Sequence, residues 1–194
     1  LKRFDIPVYT KQGTWREIQN KLIVPKNQLI ELTKGSLTLG NLIVEPFAVS
    51  HDAADPIGIN VFAGKDKATV VTDTGVISDS ILRRMDDTTL LVLEANYDPH
   101  MLRFGPYQPF LKQRVASDEG HLSNEMAAQA LLMMNRPDFM QVILAHRSEN
   151  NNNAVLVTQT IGKMLVDGGV RIGPEMKLQH GQPNEIVSMK SVKR

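Results

Sequence analysis

The chain has 194 residues, 42% apolar and 22% charged, enough for one good-sized core and ordinary for a globular protein. Lys and Arg number 22 against 21 Asp and Glu, a net charge of +1, so global charge points to neither nucleic acid nor an acidic partner. No apolar run approaches the ~20 residues of a membrane span, and the absence of cysteine rules out disulfides and thiolate metal sites.

The opening stretch, Leu1–Tyr9, reads as a helix end running into a short strand at Ile6–Tyr9. That is an unusual way to begin a domain, and the expectation is that upstream sequence belongs to the same unit. Thr14–Leu22 reads as a helix with Thr14 as N-cap and Glu17 three residues on, a capping-box pattern. Trp15, Ile18 and Leu22 share a face, and Trp15 is expected in the core. Leu29–Leu32, Ser36–Leu39, Asn41–Ser50, Ile57–Ala63 and Ala68–Asp73 read as strands of one layer, broken at glycines.

After Gly75 the pattern changes to alternating helix and strand. Helical spacing over Ser78–Met85 precedes a strand at Thr88–Ala95. Met101–Val115 looks irregular, turning helical from Pro109. Ser123–Met134 carries the clearest apolar stripe, and its methionines read as core filler. Phe139–Ala145 is a strand and Ala154–Asp167 a helix ended by Gly168 and Gly169. Met176–His180 and Glu185–Met189 look like two closing strands. No repeat or linker divides residues 1–194, so they are read as one domain.

Four apolar runs end on a side chain that can bind metal or carry protons. They reach His51, Asp73, Glu94 and His146. In open sheets covered by helices, ligand sites lie beyond the carboxyl ends of the strands. Each residue also has a plainer reading: a loop histidine for His51 and His146, an Asx-turn for Asp73, a surface carboxylate for Glu94. Their shared placement favours a site. With no thiolate available, His51, Asp73 and His146 are candidate ligands for zinc or manganese. His121 stands just before the best helix, where backbone N–H groups favour an anion and an imidazole can protonate a leaving group. Glu94 is a candidate to orient it. Arg114 and Lys112 read as a solvated face or as a phosphate clamp. His100 and His180 read as ordinary loop or edge residues.

At these residues the chain resembles the metallo-β-lactamase superfamily, in the branch of YycJ-like (WalJ-like) metallohydrolases. The strings are Val44–Ala53, Val71–Gly75, Leu93–Asp98, Leu111–Asn124 and Leu144–His146, and Ser-Asp-Glu-Gly-His-Leu-Ser-Asn is the most specific part. The resemblance implies an αβ/βα sandwich with a two-metal site. His51 and His146 would each ligate a metal, Asp73 would bridge the two, and Glu94 with His121 would steady and protonate a scissile phosphate. It implies a phosphodiesterase, specifically an exonuclease acting on double-stranded DNA and linked to repair.

Two departures stand out. The family's His-x-His-x-Asp-His motif is absent and would lie upstream of Leu1, so the chain is expected to be the C-terminal three-quarters of the enzyme and weak or inactive alone. Tyr97 stands where the family pattern has histidine. Two other functions stay open at this point: a metallohydrolase of an ester, lactone or thioester, and a metal-free scaffold member. Nucleic acid is the expected partner, with no membrane, and the cytoplasm the expected location.

Overall fold

The computed structural model describes residues 4–19, 21–22, 24–32, 35–182 and 185–187. Two short parallel strands, β1 (Val8–Thr10) and β2 (Leu29–Glu31), form a sheet of their own around α1 (Gln12–Ile18). The main sheet has seven strands in sequence order: β3 (Leu37–Leu39), β4 (Leu42–Ala48), β5 (Ile57–Ala63), β6 (Asp66–Val71), β7 (Leu90–Glu94), β8 (Met140–Ala145) and β9 (Met176–His180). Pairing is antiparallel from β3 to β6 and parallel from β6 to β9. Because β5 alone of β4–β9 runs the other way, the carboxyl ends of β4, β6, β7, β8 and β9 share one edge.

Helices fill the crossovers between the parallel strands: α2 (Asp79–Met85), then α3 (Pro99–Phe104), α4 (Pro109–Val115) and α5 (Asn124–Met133), then α6 (Ala154–Asp167). Side-chain caps start four of them. Ser78 accepts from the Ile81 N–H, Asp98 from Met101, Ser123 from Met126 and Asn153 from Leu156. Each such cap stabilises its helix by about 1 kcal/mol. The core lies between the sheet and α2, α5 and α6. Leu91, Leu93, Val142 and Leu144 from the strands meet Met85, Leu131, Ile161 and Leu165 from the helices. Alternation along β7 and β8 buries this face, while Leu90, Val92 and Ile143 on the other are half-buried.

Several expectations change. Helix α1 begins at Gln12 after Lys11, with no side-chain cap, so Thr14 lies inside it rather than at its N-cap, and the Thr14 hydroxyl donates to the Asp55 carbonyl at 3.4 Å. Trp15 is half-buried, for α1 contributes no buried residue and packs away from the main core. Strand β2 joins β1 rather than the main layer. Residues 101–104, read as irregular, belong to α3, started by the Asp98 cap with Pro99 behind it. Of the expected strand Glu185–Met189, residues 185–187 carry no strand, and the rest lies outside the described residues, as does Leu1–Arg3.

Candidate metal centre

Beyond β4, β6, β7 and β8 the chain ends in the four residues the sequence pattern singles out. Asp73 and His146 are two of only three non-glycine residues with positive φ among the described residues, at 55° and 53°. A left-handed backbone at such residues costs of order 1–3 kcal/mol and persists where surroundings enforce it. Here it turns both side chains sharply off the strand ends into one space. Thr74, fully buried, ties the edge together: its hydroxyl accepts from the Ser50 N–H at 3.2 Å, and its own N–H donates to Glu94 Oε2 at 3.1 Å. Gly75 is required where it stands, since a Cβ there would lie 2.2 Å from the Ser117 carbonyl oxygen.

Glu94 is 0% exposed. The plain reading of a surface carboxylate is therefore wrong. Its Oε1 accepts from His121 Nδ1 at 2.7 Å and from His146 Nδ1 at 2.8 Å. Burial pushes its pKa up, but the hydrogen bonds from His121 and His146 outweigh this and hold it below the usual carboxylate value. An ionised carboxylate only accepts, so both imidazoles carry their proton on Nδ1. His51 has the same arrangement by another route, its Nδ1 donating to the Glu119 carbonyl at 3.0 Å. In all three rings Nδ1 is anchored on an oxygen and Nε2 is left for a ligand, the arrangement in which a histidine ligates through one nitrogen while an oxygen anchors the other. The bond to Glu94 raises the His146 pKa, burial opposing and Asp73 adding to it.

The Nε2 atoms converge on Asp73. Its Oδ1 is 3.6 Å from His51 Nε2 and 3.6 Å from His146 Nε2. These separations exceed a hydrogen bond and approach the roughly 3.4 Å between two ligands of one tetrahedral ion with bonds near 2.1 Å. One donor atom each from His51, Asp73 and His121 also lie within 4.8 Å of one another. The His121 ring stands between the other two, its centroid 5.1 Å from His51 and 5.2 Å from His146. Nitrogen and oxygen donors with oriented tautomers and a shared carboxylate oxygen fit divalent metal.

Other residues shape the surroundings. Asp52 is paired with Arg114, whose guanidinium hydrogen bond holds the Asp52 carboxyl below its usual range. A cavity of about 360 Å³ opens beside His121 and His146, walled by Tyr107, Arg114, Arg147 and Asn96. Tyr97 does not face it. Its ring is buried with Leu102 and Val115 in a separate small core, and burial raises its hydroxyl pKa. Within the asparagine run after His146, read only as a polar loop, Asn151 and Asn152 are buried, and Asn152 is a brace. Asn152 donates to the Ala95 and Asn96 carbonyls at 3.0 and 3.1 Å, and Asn96 donates to the His146 carbonyl at 2.7 Å. His180 ends β9 on this same edge but bonds to the Thr158 hydroxyl at 2.8 Å, apart from the cluster.

A β-lactamase superfamily domain matches residues 1–146 of this chain. Exodeoxyribonuclease YycJ of Bacillus anthracis is 32% identical over 184 residues, covering 94% of this chain and 70% of that protein. Exodeoxyribonuclease WalJ of Streptococcus pneumoniae is 30% identical over 188 residues, with the same coverage of 94% and 70%. Among solved structures, the metallo-β-lactamase fold protein YhfI from Bacillus subtilis superposes with a TM-score of 0.61 at 15% identity, over 89% of this chain and 62% of that one. Zn(2+)-bound PqqB from Methylobacterium extorquens gives 0.58 at 14% identity, over 92% of this chain and 62% of that one. This chain thus spans less than two thirds of those two structures. The fold is the mixed α/β sandwich of metal-dependent hydrolases, and the chain belongs to the metallo-β-lactamase superfamily, in the YycJ and WalJ branch. No helix among the described residues is long and apolar enough to cross a membrane.

Proposed function

We propose that the protein is a metal-dependent phosphodiesterase that degrades DNA as an exonuclease in repair, with residues 1–194 as one domain and the cytoplasm as its site of action. The observation that carries this reading is the doubly bonded Glu94, which holds His121 between His51 and His146 at the edge where Asp73 faces both of their Nε2 atoms. The exodeoxyribonuclease names of the relatives support it.

His51, His146 and Asp73 would supply about half of the ligands of two divalent ions, zinc or manganese, with Asp73 shared between them. When bound, such ions supply Lewis acidity toward a phosphate and lower the pKa of water. The chain's own contribution is orientation and a proton. Glu94 would fix the His121 ring through Nδ1, so that doubly protonated His121 would give its Nε2 proton to the departing oxygen as water adds to phosphorus and the P–O bond to that oxygen breaks. Glu94 also fixes His146, so one carboxylate sets a ligand and the acid together.

The test is His121→Ala against His51→Ala in the metal-loaded protein, read by nuclease rate and metal content. The expected result is lost cleavage with metal retained for His121→Ala, and lost metal for His51→Ala. Unchanged turnover in His121→Ala removes the acid role. Faster hydrolysis of a chromogenic carboxylic ester than of a chromogenic phosphodiester overturns the substrate class.

A further inference from the structure

Residues 99–116 contain no Asp or Glu, although these number 21 in the 194-residue chain. The same stretch holds Arg103, Lys112 and Arg114, interleaved with Phe104, Tyr107 and Phe110. It forms α3, α4 and their connection, seated on the small core of Tyr97, Leu102 and Val115. Lys112 Nζ donates to the Arg103 carbonyl at 2.8 Å and links the two helices.

That core uses neither phenylalanine. Phe104 is 67% and Phe110 70% exposed, at the two ends of the connection. The Arg103 guanidinium lies 5.3 Å from the Phe104 ring centre, and the His100 ring 4.6 Å from it on centroids. The surface is continuous with the metal centre: Tyr107 and Arg114 wall the cavity that opens on His121 and His146. Arg114 pairs with Asp52, next to His51. The two helices carry no carboxylate of their own; Asp52 is held by Arg114, and Glu149 lines the cavity beside them. Exposed aromatic rings among cations are what single-stranded nucleic acid requires, because every base has a face to stack and every linkage a charge.

We infer that the α3–α4 hairpin is a docking surface for a single-stranded stretch of polynucleotide, with Phe104 and Phe110 stacking bases and Arg103 and Lys112 meeting phosphates. This rests on the phosphodiesterase reading and adds where the strand lies. It separates the stacking pair from the charged pair, and each pair has its own signature.

The experiment measures fluorescence anisotropy of a labelled, cleavage-resistant phosphorothioate oligothymidylate on the whole protein across a salt series. Phe104→Ala/Phe110→Ala is expected to weaken binding at least tenfold with an unchanged salt slope. Arg103→Ala/Lys112→Ala is expected to lower the slope of log affinity on log salt by about 1.4. Val155→Ala/Val166→Ala, which truncates exposed apolar side chains on α6, is expected to bind like the parent. Parent-like binding by both hairpin variants, or no binding by the parent, overturns the proposal. Chromogenic phosphodiester hydrolysis by the parent reports separately on the reading beneath it. Hydrolysis with unaltered oligonucleotide binding sinks the surface alone, whereas ester hydrolysis without diester hydrolysis sinks both.

Discussion

The two edges of the main sheet make an instructive pair. The larger cavity, about 590 Å³, lies at the amino-terminal ends of β8 and β9, while the metal centre borders one of about 360 Å³ at the opposite edge. Both edges hold charged groups and a left-handed aspartate, Asp87 at one and Asp73 at the other. They differ in what those groups do with their hydrogen-bonding capacity. At the larger cavity Arg171 pairs with Glu175, and Arg136 donates to the Leu131 and Leu132 carbonyls, finishing α5. Those partnerships occupy Arg136, Arg171 and Glu175. At the metal centre three imidazoles are anchored by one nitrogen and keep the other open. Chemistry follows unspent lone pairs rather than cavity size.

Substitutions can break that contrast, and the largest effect is expected at Glu94. Glu94→Ala removes the acceptor of His121, His146 and the Thr74 N–H at once, and should cost about 3 kcal/mol or more in chemical denaturation. The pH dependence follows from the same group. Its folded pKa is depressed, so its contribution is present above the unfolded carboxylate value and is lost as pH falls through the folded one. His146 has the opposite sign: its raised pKa stabilises at low pH, and that contribution fades as pH rises through the folded value. Metal-free parent protein should therefore lose stability at the acid end of the carboxylate range, and Glu94→Gln should flatten that limb of the profile.

Gly75→Ala comes next. Its Cβ would meet the backbone at Ser117 and Asp118, which cannot yield as a side-chain tip would. The expected cost is about 2 kcal/mol. Metal affinity should fall with it, because the displaced loop also carries the Glu119 carbonyl that anchors His51. Loss of stability with affinity intact would show that the loop and the metal centre are uncoupled.

Asp87→Gly sharpens the comparison from the other edge. It relieves a left-handed aspartate while retaining the backbone N–H bond to the Asn135 carbonyl at 2.9 Å, and should stabilise by about 1 kcal/mol without altering metal binding. Asp73→Gly relieves the same backbone strain and should abolish metal binding. Equal metal titrations for the two variants would remove Asp73 from the ligand set. The smallest effect belongs to Arg171→Ala, an exposed ion pair at the larger cavity, where Tm should move by no more than roughly 1 °C.

By itself the sequence determined the order and kind of most elements, and where the chemistry stands along the chain. Strand period, caps such as Ser78 and Ser123, and breaks such as Gly168 are local, so they are legible within a few residues. The four strand-end residues were legible for the same reason; the parallel crossovers put the carboxyl ends of β6 to β9 on one edge, and two antiparallel pairings across β5 bring β4 to it. Only the tertiary structure decided how those residues share partners. Glu94 reaches His146 because β7 pairs with β8 in the register that sets Glu94 against Ala145, and His121 because the Asn96 N–H bonds to the Leu122 carbonyl. Registers of this kind join residues some fifty positions apart, and no local pattern encodes them. Tyr97 turning into its own small core, Asn152 becoming a buried brace and Trp15 remaining half-buried have the same origin. In each case burial was set by what a distant segment brought to the side chain, whereas local periodicity reports only which face of its own element a residue occupies.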